Sequence, residues 1–289
     1  MNAMRDIARA RPLLGTIVAI RVAGLPETAA IAAVECAFAE IGSVHRCMSF
    51  HERDSDLSKL HRANGAAIDV DPRTHEVLQR AIGIARESDG VFDPGIAAQL
   101  VGWNLLPAPE NAQPADAEAT WRDIELHGDG RVRLRRPLWI DLGGIAKGFA
   151  VDRALAILRA HGCVSASVNA GGDLARFGPE AELVVIDPSC GGARTAIELA
   201  DRAIASSSGA PLSTRVRGRW RGAHVHGRNR HAVGVRRSVS VVATSCCVAD
   251  ALTKVVLADL RVGEKLLRRH GAHAYLFDEM RGWRTLGAA

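Results

Sequence analysis

The chain has 289 residues, 47% of them hydrophobic, and a formal net charge of +5 at pH 7. This length is sufficient to bury a large core, as one big domain or two lobes, which indicates a globular protein. The sequence contains no apolar run of about 18 residues, and its charged start lacks the apolar stretch of a signal peptide. These features exclude a membrane span and predict a cytoplasmic protein without a membrane partner.

The cysteines and the charge distribution narrow the possibilities further. The six cysteines include no CxxC pair, so they predict free thiols, most of them buried, rather than a zinc knuckle or an ordinary disulfide. Residues 203–249 contain no Asp or Glu, whereas Arg215 to Arg237 holds eight arginines and three histidines. Such a stretch favours an anionic partner.

The first half of the chain predicts a strand followed by helices. Residues alternate between apolar and polar over Leu14–Val22, as in a strand, and apolar residues recur with helical spacing over Glu27–Met48. A short helical turn is predicted over Ser55–His61 and a longer helix over Thr74–Ser88. Pro107–Thr120 is rich in Ala, Pro and Asp and is interpreted as a surface loop.

The second half contains both strands and helices. A strand, a glycine turn and a helix are predicted within Leu138–His161, and Gly162 ends that helix. Strands are further predicted over Val164–Val168, Leu183–Ile186, Ser238–Ala243 and Ala274–Asp278, and helices over Val248–Leu260 and Gly263–His270.

The segment IDLGGIAKGFAVDRA (Ile140–Ala154) places two glycines and a lysine at the predicted strand-to-helix turn. Free backbone amides and an ammonium group can face a phosphate there, which suits a pyrophosphate. The segment is not a Walker A loop, and glycine turns of this kind also occur for packing alone.

Two further glycine-containing segments are open to two interpretations. SVNAGGDLARFG (Ser167–Gly178) offers an amide, two glycines and a carboxylate that could surround a ligand ring or ribose, but a plain hairpin turn is equally compatible. ASSSG (Ala205–Gly209) offers hydroxyl groups to a phosphate, and is also compatible with an ordinary loop.

The segment VADALTK (Val248–Lys254) places Asp250, Thr253 and Lys254 on one face of a predicted helix. A carboxylate and a hydroxyl in this arrangement could hold magnesium. The alternative is a surface ion pair between Asp250 and Lys254, worth about 0.3 to 0.5 kcal/mol.

The arginine run around Trp220 resembles an RNA-binding segment in its mixture of arginine, glycine and an aromatic residue. It is equally compatible with an exposed edge strand. His224, His226 and His231 match no common metal-site spacing, which favours solvated loop histidines.

Taken in order, these segments resemble the ApbE family of flavin transferases across nearly the whole chain. LGT (Leu14–Thr16), MSFHERDSDLSKLH (Met48–His61) and DGVFDPGI (Asp89–Ile96) are similar to three successive family motifs. Two further segments match family motifs almost residue for residue, IDLGGIAKGFAVD and VNAGGD. They are followed, in the family's order, by SSG, a degraded HIIDP and ADALTK. The resemblance implies an α+β fold of mixed helices and strands. It further implies a single domain over 1–289, with approximate lobes 1–120 and 121–289 on either side of a flavin site.

The same resemblance implies a FAD:protein FMN transferase, which moves FMN from FAD onto a Thr or Ser hydroxyl of an acceptor protein and releases AMP. The implied partners are FAD and an unidentified acceptor protein, and nucleic acid is not expected. The alternative is a related protein that binds FAD, or hydrolyses it slowly, without transferring flavin.

The resemblance also implies site residues, position by position. Gly144, through its carbonyl, and Asp250, through its carboxylate, fall at magnesium-ligand positions, and Thr253 offers a further oxygen. His224 is the first choice for the base that takes the hydroxyl proton, with Asp250 second because metal ligation would lower its basicity. The positions that line the FAD site in the family correspond to Leu14, His51, Val91, Phe92, Asp93, Asp141, Lys147 and Val225.

Four positions depart from the family pattern. His51 replaces an aromatic residue, HVHGR (His224–Arg228) replaces HIIDP, the tyrosine expected after SSG is missing, and Lys254 replaces the threonine four residues after Asp250. We therefore hypothesise that Lys254 pairs with Asp250 and takes the place of the metal's charge, so that FAD binds with little or no magnesium.

Overall fold

A computed structural model describes residues 6–188, 191–209, 214–216, 219–233 and 236–287. Cys190, predicted as a free thiol, lies outside the described residues. The other five cysteines are free, and three of them, Cys163, Cys246 and Cys247, are buried.

Seven α-helices and fifteen strands make up the described part of the chain. The helices are α1 (Glu27–Met48), α2 (Asp56–Arg62), α3 (Pro72–Glu87), α4 (Ala97–Gly102), α5 (Ala146–Ala160), α6 (Cys246–Ala258) and α7 (Leu260–Arg269). The strands are β1 (Ile7–Leu13), β2 (Thr16–Ala23), β3 (Ile68–Asp69), β4 (Ile124–Leu126), β5 (Arg131–Leu134), β6 (Ser165–Ala170), β7 (Asp173–Phe177), β8 (Glu182–Ile186), β9 (Thr195–Leu199), β10 (Ala203–Ser208), β11 (Thr214–Val216), β12 (Arg219–Arg221), β13 (Arg237–Ala243), β14 (His273–Asp278) and β15 (Gly282–Gly287).

The main sheet has eight strands in the order β1-β2-β6-β7-β10-β13-β14-β15, and every neighbouring pair is antiparallel. Helix α5 packs on β6 and β7, α6 packs on β10 and β13, and α1 packs against α5. Helices therefore cover the middle of the sheet, and α5 and α6 lie side by side on it. This arrangement agrees with the predicted α+β class.

Helix α1 follows directly from its sequence. Residues spaced three or four apart, among them Val34, Phe38, Ile41 and Val44, are buried, as the helical repeat of apolar positions predicts. Its observed bounds, Glu27–Met48, are those predicted from this repeat. Periodicity over many turns is a strong signal because each buried position supports the same assignment.

Two predictions of strands were wrong. The sequence predicts no strand before Leu14, yet β1 occupies Ile7–Leu13 as an edge strand. Residues 8–12 are all exposed and include two alanines and a proline, residue types that are depleted in strands. Conversely, residues 138–141 do not form a strand. The N–H of Asp141 instead donates to the carbonyl of Pro94 at 2.8 Å, which places this segment beside DGVFDPGI.

One hydrophobic core extends across the predicted lobe boundary. Its buried residues run from Ile7 to Leu276, and β2 pairs with β6 over six residue positions. The main sheet therefore contains strands from both sides of residue 120 and is continuous across the predicted boundary. The two-lobe description stays a prediction. Among the described residues, no helix is long and apolar enough to cross a membrane.

Buried His61 holds the segment that carries Asp141. The backbone N–H of Ile140 donates to Nε2 of His61 at 2.8 Å, an arrangement that only an unprotonated Nε2 can accept. Burial lowers the pKa of His61 from 6.5 to about 4. The folded state therefore keeps this ring neutral at pH values where the unfolded chain protonates it.

We expect this histidine to make stability fall with acidity. The pKa of His61 is lower in the folded than in the unfolded state, so its contribution to the free energy of unfolding is complete above about pH 6.5. This contribution decreases as the pH falls from about 6.5 to about 4, by up to about 1.4 kcal/mol per pH unit. Urea denaturation at pH 7.5 and pH 5 tests this expectation. His61→Gln, whose amide oxygen can still accept from Ile140, should lose less free energy of unfolding than wild type, and equal losses would contradict the assignment.

Candidate functional site

The site begins where α5 and α6 cross in close contact. A Cβ atom at Gly148 would lie 2.3 Å from the carbonyl oxygen of Cys246, so only glycine permits this approach. Asp152 on α5 accepts from the backbone N–H groups of Cys246 and Cys247, at 2.8 and 2.9 Å, and from the hydroxyl of Ser245 at 2.7 Å. The first turn of α6 is thus fixed against α5, which places Asp250 beside the start of α5.

Asp250 is fully buried and both of its carboxylate oxygens are engaged. Oδ1 pairs with the ammonium of Lys254, and Oδ2 accepts from the backbone N–H of Gly148 at 3.2 Å. Burial alone would raise the pKa of Asp250, but Lys254 and Lys147 outweigh it and hold the pKa below its usual value. The predicted ion pair therefore exists, but it is buried rather than on the surface.

A second lysine–aspartate pair lies next to the first. Lys147 donates to Oδ2 of Asp173, whose side chain is 1% exposed, while Lys147 itself is 31% exposed. Burial would lower the pKa of Lys147, yet Asp250 and Asp173 together raise it, so the ammonium stays charged. We call Lys147, Asp173, Asp250 and Lys254 the Lys–Asp cluster.

Asp173 is the carboxylate that the segment Ser167–Gly178 offered to a ligand ring or ribose, but the family resemblance did not place it among the site residues. Burial, followed by the negative charge of Asp250, raises its pKa to about 6 despite the opposing effect of Lys147. Its Oδ1 atom is buried and has no hydrogen-bond partner in the described structure. The pairing with Lys147 joins β7 to α5, and no spacing along the sequence indicates it.

The glycine turn before α5 brings more predicted residues to the Lys–Asp cluster. A Cβ atom at Gly144 would lie 3.3 Å from the ring of Phe92 and 3.5 Å from Cγ of Lys254. Asp141 accepts from the N–H of Gly143 at 3.0 Å, and its pKa is raised by burial against the positive influence of His51 and Lys254. Phe92, Asp141 and Gly144 therefore lie beside Lys254.

The backbone amides of this turn are less available than predicted. Gly143 donates to Asp141, and Gly148 donates to Asp250. The N–H groups of Ile145 and Ala146 both donate to the carbonyl of Leu142, at 3.0 and 2.8 Å. The positive charge of this site therefore comes from the two lysines rather than from these four amides.

The HVHGR loop packs directly on DGVFDPGI. The N–H of Gly227 donates to the carbonyl of Val91 at 2.9 Å, and a Cβ atom at Gly227 would lie 2.2 Å from the carbonyl oxygen of Gly90. Val225 forms an isolated antiparallel bridge with Ala232. The loss of the HIIDP sequence thus leaves an ordered loop in contact with the predicted flavin-lining segment.

Asp93 serves this packing. Its Oδ2 atom accepts from Arg230 at 2.9 Å, its Oδ1 atom accepts from the N–H of Gly95 at 2.7 Å, and its side chain is 2% exposed. Arg230 also donates to the carbonyl of Ala119 at 2.9 Å. The carboxylate of Asp93 therefore accepts from protein donors beneath the loop, and its role in the flavin site stays a prediction.

Replacing Arg230 by methionine should destabilise this loop. The buried carboxyl group of Asp93 would lose its charged partner and become protonated, which we expect to cost about 2 kcal/mol of unfolding free energy. Arg236→Met is the matched control, because Arg236 is 75% exposed in its pair with Glu279 and its loss should cost less than about 0.5 kcal/mol. Equal losses in urea denaturation would contradict the proposed role of Arg230.

His224 lies close to the Lys–Asp cluster. Its Nε2 atom is 3.2 Å from the carbonyl oxygen of Ser208, which can only accept, so Nε2 carries the proton and Nδ1 keeps its lone pair. Burial, and then the charge of Lys254, lowers the pKa of His224 to about 4. The imidazole is therefore neutral at pH 7.

Comparison with known proteins identifies the family. The sequence profile of the ApbE family matches residues 14–277. The chain belongs to the ApbE family. Among solved structures, the ApbE protein of Thermotoga maritima superposes with a TM-score of 0.81 at 25% identity, covering 97% of this chain and 96% of that one. The flavin transferase ApbE of Vibrio cholerae gives 0.81 at 21% identity, covering 99% and 98%, and shows the shared fold.

Curated relatives of this ApbE-family chain are named FAD:protein FMN transferase. The Treponema pallidum protein is 30% identical over 190 residues, which make up 61% of this chain and 52% of that protein. The Rhodobacter capsulatus protein is 30% identical over 186 residues, 60% of this chain and 35% of its own length. The chain thus spans about half or less of the length of these two relatives.

The residues present do not fit the magnesium ion that the ApbE resemblance implies. Both oxygens of Asp250 are engaged, and the hydroxyl of Thr253 donates to the carbonyl of Asp250 at 2.6 Å and contacts Ser207 at 2.8 Å. Within the described ranges, no three His, Cys, Asp or Glu side chains gather as metal ligands. Thr253 therefore does not offer the further oxygen that the sequence suggested.

The remaining predicted residues flank the Lys–Asp cluster. Leu14 lies in the turn between β1 and β2, with φ of 55°. Thr16, two residues later, lies close to Gly171, where an added Cβ atom would be 2.5 Å from its side chain. Gly171 precedes Asp173 by two residues, so this turn lies near the Lys–Asp cluster. His51 is exposed and acts electrostatically on Asp141. The structure does not bring Leu14 and His51 into contact with each other, and their roles in the ApbE site stay predictions.

The arginine side chains that the structure describes in the arginine-rich stretch all have a partner within this ApbE-family chain. Arg221 stacks over Trp103 at 5.0 Å, and four further arginines pair with carboxylates: Arg228 with Asp89, Arg230 with Asp93, Arg236 with Glu279 and Arg237 with Asp278. The side chains of Arg215, Arg217 and Arg219 lie outside the described residues. Arg230 and Arg237 are mostly buried in their pairs, whereas Arg228 and Arg236 are 45% and 75% exposed, so the fold uses only part of this stretch.

Proposed function

We propose that this protein transfers FMN from FAD to a Thr or Ser hydroxyl of an acceptor protein and releases AMP. The observation that carries the proposal is the Lys–Asp cluster, in which buried aspartates hold two ammonium groups at the glycine turn before α5. A pyrophosphate is the part of FAD that such a pair of cations recognises. The curated relatives are named FAD:protein FMN transferase, which is the activity proposed for this chain.

The reaction exchanges one phosphorus–oxygen bond for another. The hydroxyl oxygen of the acceptor attacks the phosphorus on the FMN side of the pyrophosphate, and the bond from that phosphorus to the bridging oxygen breaks. AMP leaves with the bridging oxygen, and the hydroxyl proton goes to a base. Lys147, which is partly exposed, stabilises the negative charge that develops on the leaving phosphate.

His224 is the proposed base. Its ring is neutral, its Nε2–H is held by the carbonyl of Ser208, and Nδ1 remains available for a proton. Burial, Lys254 and Lys147 oppose the imidazolium that forms after proton transfer, and the nearby charge of Asp250 favours it. Asp250 is the second choice for the base, because both of its oxygens already accept from protein donors.

Chromatographic analysis of the nucleotide products tests this proposal. The protein is incubated with FAD, with and without a threonine-bearing acceptor domain, and FAD, FMN and AMP are quantified. The proposal predicts AMP that accumulates only with acceptor, in amounts equal to the FAD consumed and without free FMN. Equal amounts of AMP and free FMN would indicate a FAD pyrophosphatase, and intact FAD would indicate a binding protein.

A further inference from the structure

The position next to Asp250 is already occupied by a cation of the protein itself. The ammonium of Lys254 contacts Oδ1 of Asp250 and donates to the hydroxyl of Ser207 at 2.9 Å, and the Lys254 side chain is 18% exposed. Two elements distant in sequence, α6 and β10, thus hold the ammonium in place. A lysine fixed in this way is a site component and not a freely moving surface group.

The charges of the Lys–Asp cluster balance without a metal ion. Two ammonium groups face two carboxylates, and each pair lies largely out of solvent. A divalent ion bound to Asp250 would have to displace Lys254 or lie within a few ångström of it, where like charges repel strongly because the site is buried. Apart from Oδ1 of Asp173, which has no hydrogen-bond partner, the side-chain oxygens that could complete a magnesium shell are engaged, since Thr253 Oγ1 bonds to the Asp250 carbonyl and to Ser207.

We infer that Lys254 performs the task of a bound divalent cation, so that this protein binds the pyrophosphate of FAD without magnesium. The inference rests on the proposed function, because it assigns a role to Lys254 in that same site. The contact of Lys254 with Gly144 supports it, since Cγ and Cε of the lysine lie 3.5 and 3.6 Å from the position of a Cβ atom there. The ammonium group consequently lies beside the glycine turn where the pyrophosphate is proposed to bind.

The decisive variant is Lys254→Thr, which removes the ammonium and supplies a hydroxyl one helical turn after Asp250. It frees Oδ1 of Asp250 and leaves the buried carboxylate without its closest counter-charge, so a divalent ion becomes favourable there. Lys265→Thr is the matched control, because Lys265 is exposed on α7 and away from the Lys–Asp cluster. Thermal unfolding of each protein shows whether the variant is folded, and Lys254→Met serves as a second variant that removes the charge without adding an oxygen.

Two measurements test the inference. FAD affinity is measured by fluorescence titration in magnesium and in EDTA, and metal binding to the FAD-free protein is measured with Mn²⁺ by electron paramagnetic resonance. For wild type and Lys265→Thr we expect the FAD dissociation constant to change by less than about twofold between buffers, with no bound Mn²⁺. For Lys254→Thr we expect binding of Mn²⁺ and FAD affinity at least about tenfold weaker in EDTA than in magnesium, whereas Lys254→Met should be weak in both buffers.

The outcomes separate the inference from the proposed function. Wild-type affinity that falls about tenfold or more in EDTA would overturn the inference while leaving flavin transfer intact. Mn²⁺ bound by wild type as tightly as by Lys254→Thr would also overturn it. Absence of FAD binding in both buffers would overturn the proposed function, and the inference with it.

Discussion

Lys147→Gln should reduce the rate of AMP release in the presence of acceptor by about 100-fold or more, the usual effect of removing one preorganised group that stabilises a developing charge. Lys147 is the partly exposed ammonium of the Lys–Asp cluster, and Asp173 and Asp250 hold it in the charged form. Glutamine keeps a hydrogen-bond donor, on a side chain one atom shorter, but lacks the positive charge. The rate is measured under conditions of saturating FAD and acceptor, so that a change in the chemical step is separated from weaker binding.

The same variant should remain folded, which makes the loss of rate interpretable. Without Lys147, the pKa of the buried Asp173 carboxyl would rise further and the group would be neutral, which limits the destabilisation. Lys265→Gln on the exposed face of α7 provides the control and should retain the wild-type rate. A Lys147→Gln protein with normal thermal unfolding and an unchanged rate would remove Lys147 from the mechanism.

Gly148→Ala is expected to destabilise the protein by about 3 kcal/mol, at the upper end of what overpacking costs, because the added methyl group meets rigid backbone. The new Cβ atom would lie 2.3 Å from the Cys246 carbonyl oxygen and 2.9 Å from Cβ of Asp250. Relief requires α5 and α6 to separate, since neither atom is at the end of a flexible side chain. For a chain of this size the midpoint of thermal unfolding should fall by about 6 to 12 °C.

Gly83→Ala is the control for this substitution. Gly83 lies inside α3, and a Cβ atom there would meet no neighbouring atom within 4 Å. The same chemical change should therefore leave stability unchanged or raise it by up to about 1 kcal/mol, because alanine restricts the unfolded chain. Similar unfolding midpoints for Gly148→Ala and wild type would show that the two helices do not approach each other this closely.

The fold was predictable from the sequence where one signal repeats over many residues. Helix α1 has its predicted bounds because its apolar positions recur over 22 residues and most of them face the core, although Ile31 is exposed. Strand β1 escaped prediction because its exposed residues 8–12 include two alanines and a proline, residue types that are depleted in strands. Residues 138–141 resemble a strand in composition, but only isolated backbone bonds join them to the segment near Pro94.

The site was predictable in its residue types and less so in its pairings. The spacing of Asp250 and Lys254 gives their contact on one helix face, but burial on α6 depends on how the helix packs against α5 and the sheet. The pairing of Lys147 with Asp173 and the contact of Lys254 with Ser207 join elements that are distant in sequence. Long-range contacts of this kind follow from the strand order, which the sequence pattern does not specify.

The arginine-rich stretch shows the same limit. Its composition alone favours an anionic partner, since no acidic residue lies nearby in the sequence. In the structure, the acidic partners of Arg230 and Arg237 come from Asp93 and Asp278, which are far away along the chain. Net charge over a window of sequence therefore overestimates the charge that a folded surface presents.

The most direct test of flavin transfer is the intact mass of a threonine-bearing acceptor domain after incubation with this protein and FAD. We expect an acceptor heavier by one FMN less one water, with the flavin on the threonine. Replacing that threonine by valine in the acceptor should abolish the adduct, as should Lys147→Gln in the protein. Acceptor of unchanged mass, although FAD is bound, would contradict flavin transfer as the function of this chain.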